Sequence, residues 1–194
     1  QTFLESNNFP SGELDLREDI FEENHKIKEI HRLLDSVKPD AVIFIGDNGE
    51  RDADIYHQAN LDYAKSGIKM VTFIHQLYSQ NTPWGLPDAL FEVGHALHAE
   101  QNGYVTPIEI ALQLRSKNLL NSAGLDWMIQ KIGPVVTSEG VLKLDVDQPI
   151  VFPLFMNCSD FKWSSNIPSV LRELSMPDKS ILTSVVAKIG ERCN

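Results

Sequence analysis

An α/β fold with a parallel sheet is what this sequence predicts, and two observations predict it. Two short β-branched runs, 41–45 and 68–74, flank a helical stretch at 52–66, which is the order and length of a β-α-β crossover. The first run, Ala41-Val42-Ile43-Phe44-Ile45, is continuously apolar, as expected of a parallel strand covered on both faces. Ligands of such units bind at the carboxyl ends of the strands. Asp47 and His75 fall there.

Before the crossover, Asn7-Asn8-Phe9-Pro10-Ser11-Gly12 is a cluster of turn formers, and Glu13-Leu14-Asp15-Leu16-Arg17 alternates like a short strand. Ile27, Ile30, Leu34 and Val37 then recur at helical spacing until Pro39 closes the segment. Within the crossover, Ile55, Ala59 and Tyr63 share a helix face and Gly67 marks the stop. After Pro83-Trp84-Gly85 the pattern predicts helices at 88–101, 106–117 and 119–132. Thr106-Pro107-Ile108-Glu109 opens the second with a capping box and a first-turn proline. A hairpin near 135–155, turning at Glu139-Gly140, and short helices at 167–175 and 178–191 complete the chain. The expected organisation is a core at 1–80 and a mainly helical extension at 81–194.

The 194 residues are 42% hydrophobic with a formal charge of −10. A sequence-independent grip on nucleic acid needs clustered Lys and Arg, so this balance argues against a nucleic-acid partner. An anionic substrate must be held locally, by a metal or a few placed cations. No run approaches the ~18 apolar residues of a transmembrane span, and no basic-then-apolar leader opens the given chain. Cys158 and Cys193 are too few for a disulfide scaffold or a structural zinc site. Asn157-Cys158-Ser159 fits a glycosylation pattern that arises easily by chance.

The chemistry concentrates in Gly46-Asp47-Asn48-Gly49-Glu50-Arg51-Asp52. A strand delivering Gly-Asp-x-x-x-x-Asp sets two carboxylates side by side in the mouth of a sheet. Magnesium accepts one or two carboxylates and keeps waters and substrate phosphate in its other positions. Gly46 and Gly49 offer permissive backbone points. The plainer reading is an Asp-Asn-Gly turn with Asp52 capping the next helix.

The string from Val42 to Tyr56, preceded by Asn7 to Gly12 and by His25-Lys26-Ile27, resembles the catalytic domain of the actin-patch-associated phosphatidate phosphatases and their bacterial relatives, members of the haloacid dehalogenase superfamily. The resemblance covers about residues 1–75. It implies a Rossmann-like haloacid-dehalogenase-type parallel sheet and magnesium-dependent hydrolysis of a phosphate monoester, phosphatidate by analogy, through an aspartyl-phosphate. Asp47 and Asp52 take the places of that family's acidic magnesium ligands. Lys26 takes that of the cation neutralising the phosphate and the attacking carboxylate. Asn48, Glu50 and His75 are candidates on the substrate side. Lys26 also shares a helical stripe with Ile30, Leu33 and Val37, so it leans inward, whereas Lys28 faces solvent with Arg32 and Asp35.

The family's Asp-x-Asp-x-Thr nucleophile strand precedes the part that resembles this chain. The expectation is that it comes from a missing N-terminal segment of the same protein. A permuted arrangement would use Asp145 and Asp147, at the end of an apolar strand, with Pro149 where Thr belongs and a hydroxyl from Thr183 or Ser184. A third account is a catalytically inactive binding or scaffold protein of the same fold. A rival site of another kind is Glu92-x-x-His95 with His98, half of a di-iron constellation. Surface histidines are the simpler reading. Trp84, Phe91, Trp127, Phe155, Phe161 and Trp163 could line an apolar lid or pack the extension.

Overall fold

The structure, a computed structural model, describes residues 24–76, 94–104, 106–137 and 174–192. The chain divides into two units between Lys38 and Pro39, and each is taken by itself. In the first, helix α1 (His25–Val37) buries Leu34 and leaves Val37 65% exposed. It ends at Lys38 in the left-handed region, whose amide donates to the Leu34 carbonyl at 2.9 Å.

The second unit carries a parallel sheet of β1 (Ala41–Asp47), β2 (Lys69–His75) and β3 (Asn102–Tyr104), in the order β1-β2-β3. The register aligns Ile43 with Val71 and Asp47 with His75, and His75 with Tyr104. Asp47, His75 and Tyr104 therefore form one row across the carboxyl ends of three strands, as parallel pairing in register requires. Helix α2 (Asp52–Asp62) joins β1 to β2. It buries Ala53, Tyr56 and Ala59, and the Tyr56 ring stacks on Phe44 with centroids 4.8 Å apart. On the opposite face, Val71, Phe73 and Tyr104 pack under Ile110 and Leu114 of α3 (Pro107–Ser116).

The crossover thus has the predicted elements, with one correction. Ile43 and Ile45 are 45% and 55% exposed, so β1 is not covered on both faces among the described residues. The apolar run reports strand identity, but coverage depends on which helix reaches that strand, and α3 packs against β2 and β3 instead.

A second correction concerns 88–101. Residues 94–101 are not helical; they lead through a turn into β3. Their polar groups bond to distant backbone: the Gln101 side-chain amide donates to the Ala53 carbonyl at 2.6 Å. Such nonlocal bonds leave no periodicity in the sequence. Residues 88–93 lie outside the described part.

Helices α3, α4 (Ser122–Thr137) and α5 (Met176–Arg192) share a core of Ile108, Ala111, Leu112, Leu125, Ile129, Leu174, Leu182 and Val185. Helix α4 outruns its predicted end despite Pro134, which forfeits one helical hydrogen bond. Residues 135–137 are therefore helix, and the rest of the expected hairpin lies outside the described residues. At the start of α3, the Thr106 amide donates to Glu109 Oε2 at 2.8 Å, and the Thr106 hydroxyl donates to the same oxygen. Both residues are 3% exposed. Removing the acceptor strands a buried N–H, so Glu109→Ala is expected to cost about 1–2 kcal/mol in urea unfolding, with Glu109→Gln recovering most of it.

Candidate metal-binding site

Gly46 lies within β1, paired with Ile74, and the strand continues to Asp47. Neither Gly46 nor Gly49 has a positive φ; among the described glycines only Gly67 does, at 82°. Their expected role as free turn points is corrected accordingly. What Gly46 provides is close approach. A Cβ there would collide with the Asp52 carboxylate oxygen Oδ2 and lie 2.7 Å from Asp52 Cβ and 2.8 Å from Cγ. The absence of that methyl lets Asp52, the first residue of α2, lie over the end of β1.

The two candidate residues are joined beside this contact, backbone to side chain. The Asp47 amide donates to Asp52 Oδ2 at 3.2 Å. Asp47 Oδ1 accepts the Gly49 amide at 2.9 Å, an Asx turn that closes the loop. Asn48, 1% exposed, is held on both sides: its amide donates to the His75 carbonyl at 3.0 Å, and its carbonyl accepts the His95 amide at 2.7 Å. Asp52 is 6% exposed and Asp47 half-buried, while Glu50 is exposed.

The negative field of this pair reaches two tyrosines. Burial first, and then the charges of Asp52, Asp47 and Tyr104, push the Tyr56 hydroxyl far above its ordinary value, while that hydroxyl donates to the Ile45 carbonyl at 3.1 Å. Burial, then Asp47 and Glu109, raise Tyr104. Both hydroxyls therefore stay protonated through neutral pH. Tyr104 also stacks on His75, with centroids 4.8 Å apart and 8° between planes.

The structure thus brings Asp47, Asn48, Asp52 and His75 together and adds Tyr56 and Tyr104. Tyr56 was within the string read above; Tyr104 ends a strand of three residues, too short to announce itself by alternation. Lys26 is half-buried on α1, in the other unit. Asp145, Asp147 and Glu92 lie outside the described residues. His95 and His98, expected as surface residues, are half-buried, and both face Asp54. Among the described residues no three His, Cys, Asp or Glu side chains are grouped to hold a metal.

Residues 1–76 match the family described as phosphatidate phosphatase APP1, catalytic domain. That match takes in 76 of the 194 residues and closes at Gln76, directly after β2, so the carboxylate loop lies inside it and β3 beyond it. Comparison with curated proteins and with solved structures gives no match.

Proposed function

We propose that the Asp47–Asp52 loop is the magnesium-binding part of a haloacid-dehalogenase-type, Rossmann-like phosphatase that hydrolyses a phosphate monoester of the phosphatidate kind. The observation that carries this reading is the fit of Asp52 over Gly46, which sets two acidic residues at the carboxyl end of a parallel strand, within the stretch that matches a phosphatidate phosphatase catalytic domain.

The donor set suits the ion. Magnesium takes one or two carboxylates and leaves its other positions to water and phosphate, so a pair needs no third acidic neighbour. When bound, the ion supplies charge neutralisation at the phosphoryl oxygens. The chain's own residues hold the rest in place. Asp47, tied into its Asx turn, presents one carboxylate; Asp52 presents the other while accepting the Asp47 amide. Phosphoryl transfer depends mostly on positioning and charge stabilisation, and the resemblance alone gives Lys26 the place of the cation that neutralises the phosphate. The attacking aspartate, which forms the aspartyl-phosphate, is assigned to a segment outside the recognised stretch. A lipid phosphate would be met at a membrane surface: among the described residues no helix is long and apolar enough to cross one.

The test is phosphate release from p-nitrophenyl phosphate and from phosphatidate vesicles, with magnesium and with chelator. Metal-dependent release from both is the expected result. Magnesium binding without release from either would mean that no attacking aspartate acts with this chain, whether its segment is absent or the protein is the non-catalytic relative of the same fold. No magnesium binding would sink the site.

A further inference from the structure

Beyond the carboxylate loop, α2 and residues 94–101 share a second group of polar side chains. His57 Nδ1 lies 2.6 Å from Glu100 Oε1, and His98 Nε2 lies 2.9 Å from Asp54 Oδ1. The two imidazoles stack, with centroids 3.8 Å apart and planes within 2°. His95 Nδ1 stands 3.8 Å from the other Asp54 oxygen. Backbone bonds run alongside: Gln101 Nε2 donates to the Ala53 carbonyl at 2.6 Å, and Gln101 Oε1 accepts the His98 amide at 3.0 Å. Asp54 and His57 belong to the first turn and a half of α2, the helix that begins with Asp52.

We propose that His57 and His98 are positioning residues for the metal loop: they clamp residues 94–101 onto α2 so that the His95 amide holds the Asn48 carbonyl and fixes the Asp47–Asp52 spacing. This rests on the reading above that Asp47 and Asp52 bind magnesium. The mechanical link is the 2.7 Å bond from the His95 amide to Asn48. It ties a loop between two ligands to a segment that follows β2. Without the clamp, that segment loses both of its side-chain bonds from imidazole to carboxylate. Changes to groups that support metal ligands typically cost about 10–100-fold in affinity.

The contacts also fix which ring nitrogens carry hydrogen. An ionised carboxylate only accepts, so the nitrogen facing it must donate. Burial alone would raise Glu100, but the His57 hydrogen bond, its own backbone amide and the charges of His57 and His98 leave it below the usual carboxylate value. It is therefore an acceptor at neutral pH. The clamp assigns Nδ1–H to His57 and Nε2–H to His98.

Four variants of the full chain separate clamping from bulk. His98→Gln keeps a donor near the Nε2 position and His57→Asn keeps one near Nδ1, whereas His98→Ala and His57→Ala keep neither. Magnesium affinity should fall about 10–100-fold in the alanine variants and return to within about threefold in the amide variants. Hydrogen exchange of the His95 amide, followed without metal, should accelerate in the alanine variants alone. Nitrogen-15 spectra of the unsubstituted protein should show the two assigned tautomers. Unchanged affinity with unchanged His95 exchange in the alanine variants would overturn the proposal, as would the opposite tautomers. If no form binds magnesium, the metal reading fails, and the exchange pattern alone decides whether the clamp exists. If the alanine variants do not fold, the tautomers and the behaviour of the amide variants decide it.

Discussion

Asp47→Asn is expected to weaken magnesium binding by more than ~100-fold, beyond the ~10–100-fold that changes to supporting groups produce, while leaving the fold in place. The substitution removes the charge but keeps an oxygen at the position where Asp47 accepts the Gly49 amide at 2.9 Å, so the turn survives. A side-chain amide lacks the anionic oxygen that a hard divalent cation prefers. Calorimetric titration with magnesium measures the loss, and unchanged affinity would remove Asp47 from the site. A second readout needs no metal. The Asp47 charge is among the causes that hold the Tyr56 and Tyr104 hydroxyls above their ordinary values. Neutralising it must lower both, so the alkaline ultraviolet titration of the variant should move toward lower pH. That shift would also report that the variant keeps the native arrangement of β1, α2 and β3, since the field acts only at short range.

The half of this site that could be read from the sequence is the half built from neighbours in the chain. The β-branched run, the glycine and the two aspartates one and six positions after it announce a strand end with carboxylates, because period and composition act locally. The role of Gly46 could not be read correctly, because it depends on Asp52 folding back over it rather than on its own φ. The residue types at 94–101 permit a helix; in the structure these residues bond to Asn48, Ala53, Asp54 and His57, more than thirty residues earlier. Competition of this kind between local propensity and distant hydrogen bonds is invisible to a sliding window. Tyr104 was missed with its strand. Exposure of Ile43 and Ile45 was missed for a related reason: a run of apolar residues names a strand but not its neighbours.

Gly46→Ala is the substitution expected to damage stability and site together. The added methyl would meet Asp52 Oδ2, Cβ and Cγ, the last two at 2.7 and 2.8 Å. Cβ does not move when a side chain changes rotamer, so swinging the carboxylate away is not enough. Either α2 must retreat from β1 or the strand must bend, and in both cases the Asp47 amide parts from Asp52 Oδ2. Overpacking of this kind costs about 1–3 kcal/mol, readable in urea unfolding, and the displaced ligand should weaken magnesium by at least the ~10–100-fold of a lost supporting group. Gly67→Ala is the control, since Gly67 has nothing within 4 Å of its missing Cβ but a φ of +82°. Backbone strain there should cost about 1 kcal/mol and leave metal affinity unchanged. The steric account also predicts an interaction between two substitutions. In an Asp52→Gly background both the carboxyl group and Cβ are gone, so adding Gly46→Ala should cost clearly less than it does in the unsubstituted protein, as expected for residues in contact. Additive costs would mean that the methyl meets something other than Asp52, and that the close packing of strand end and helix start is not what sets the two carboxylates together.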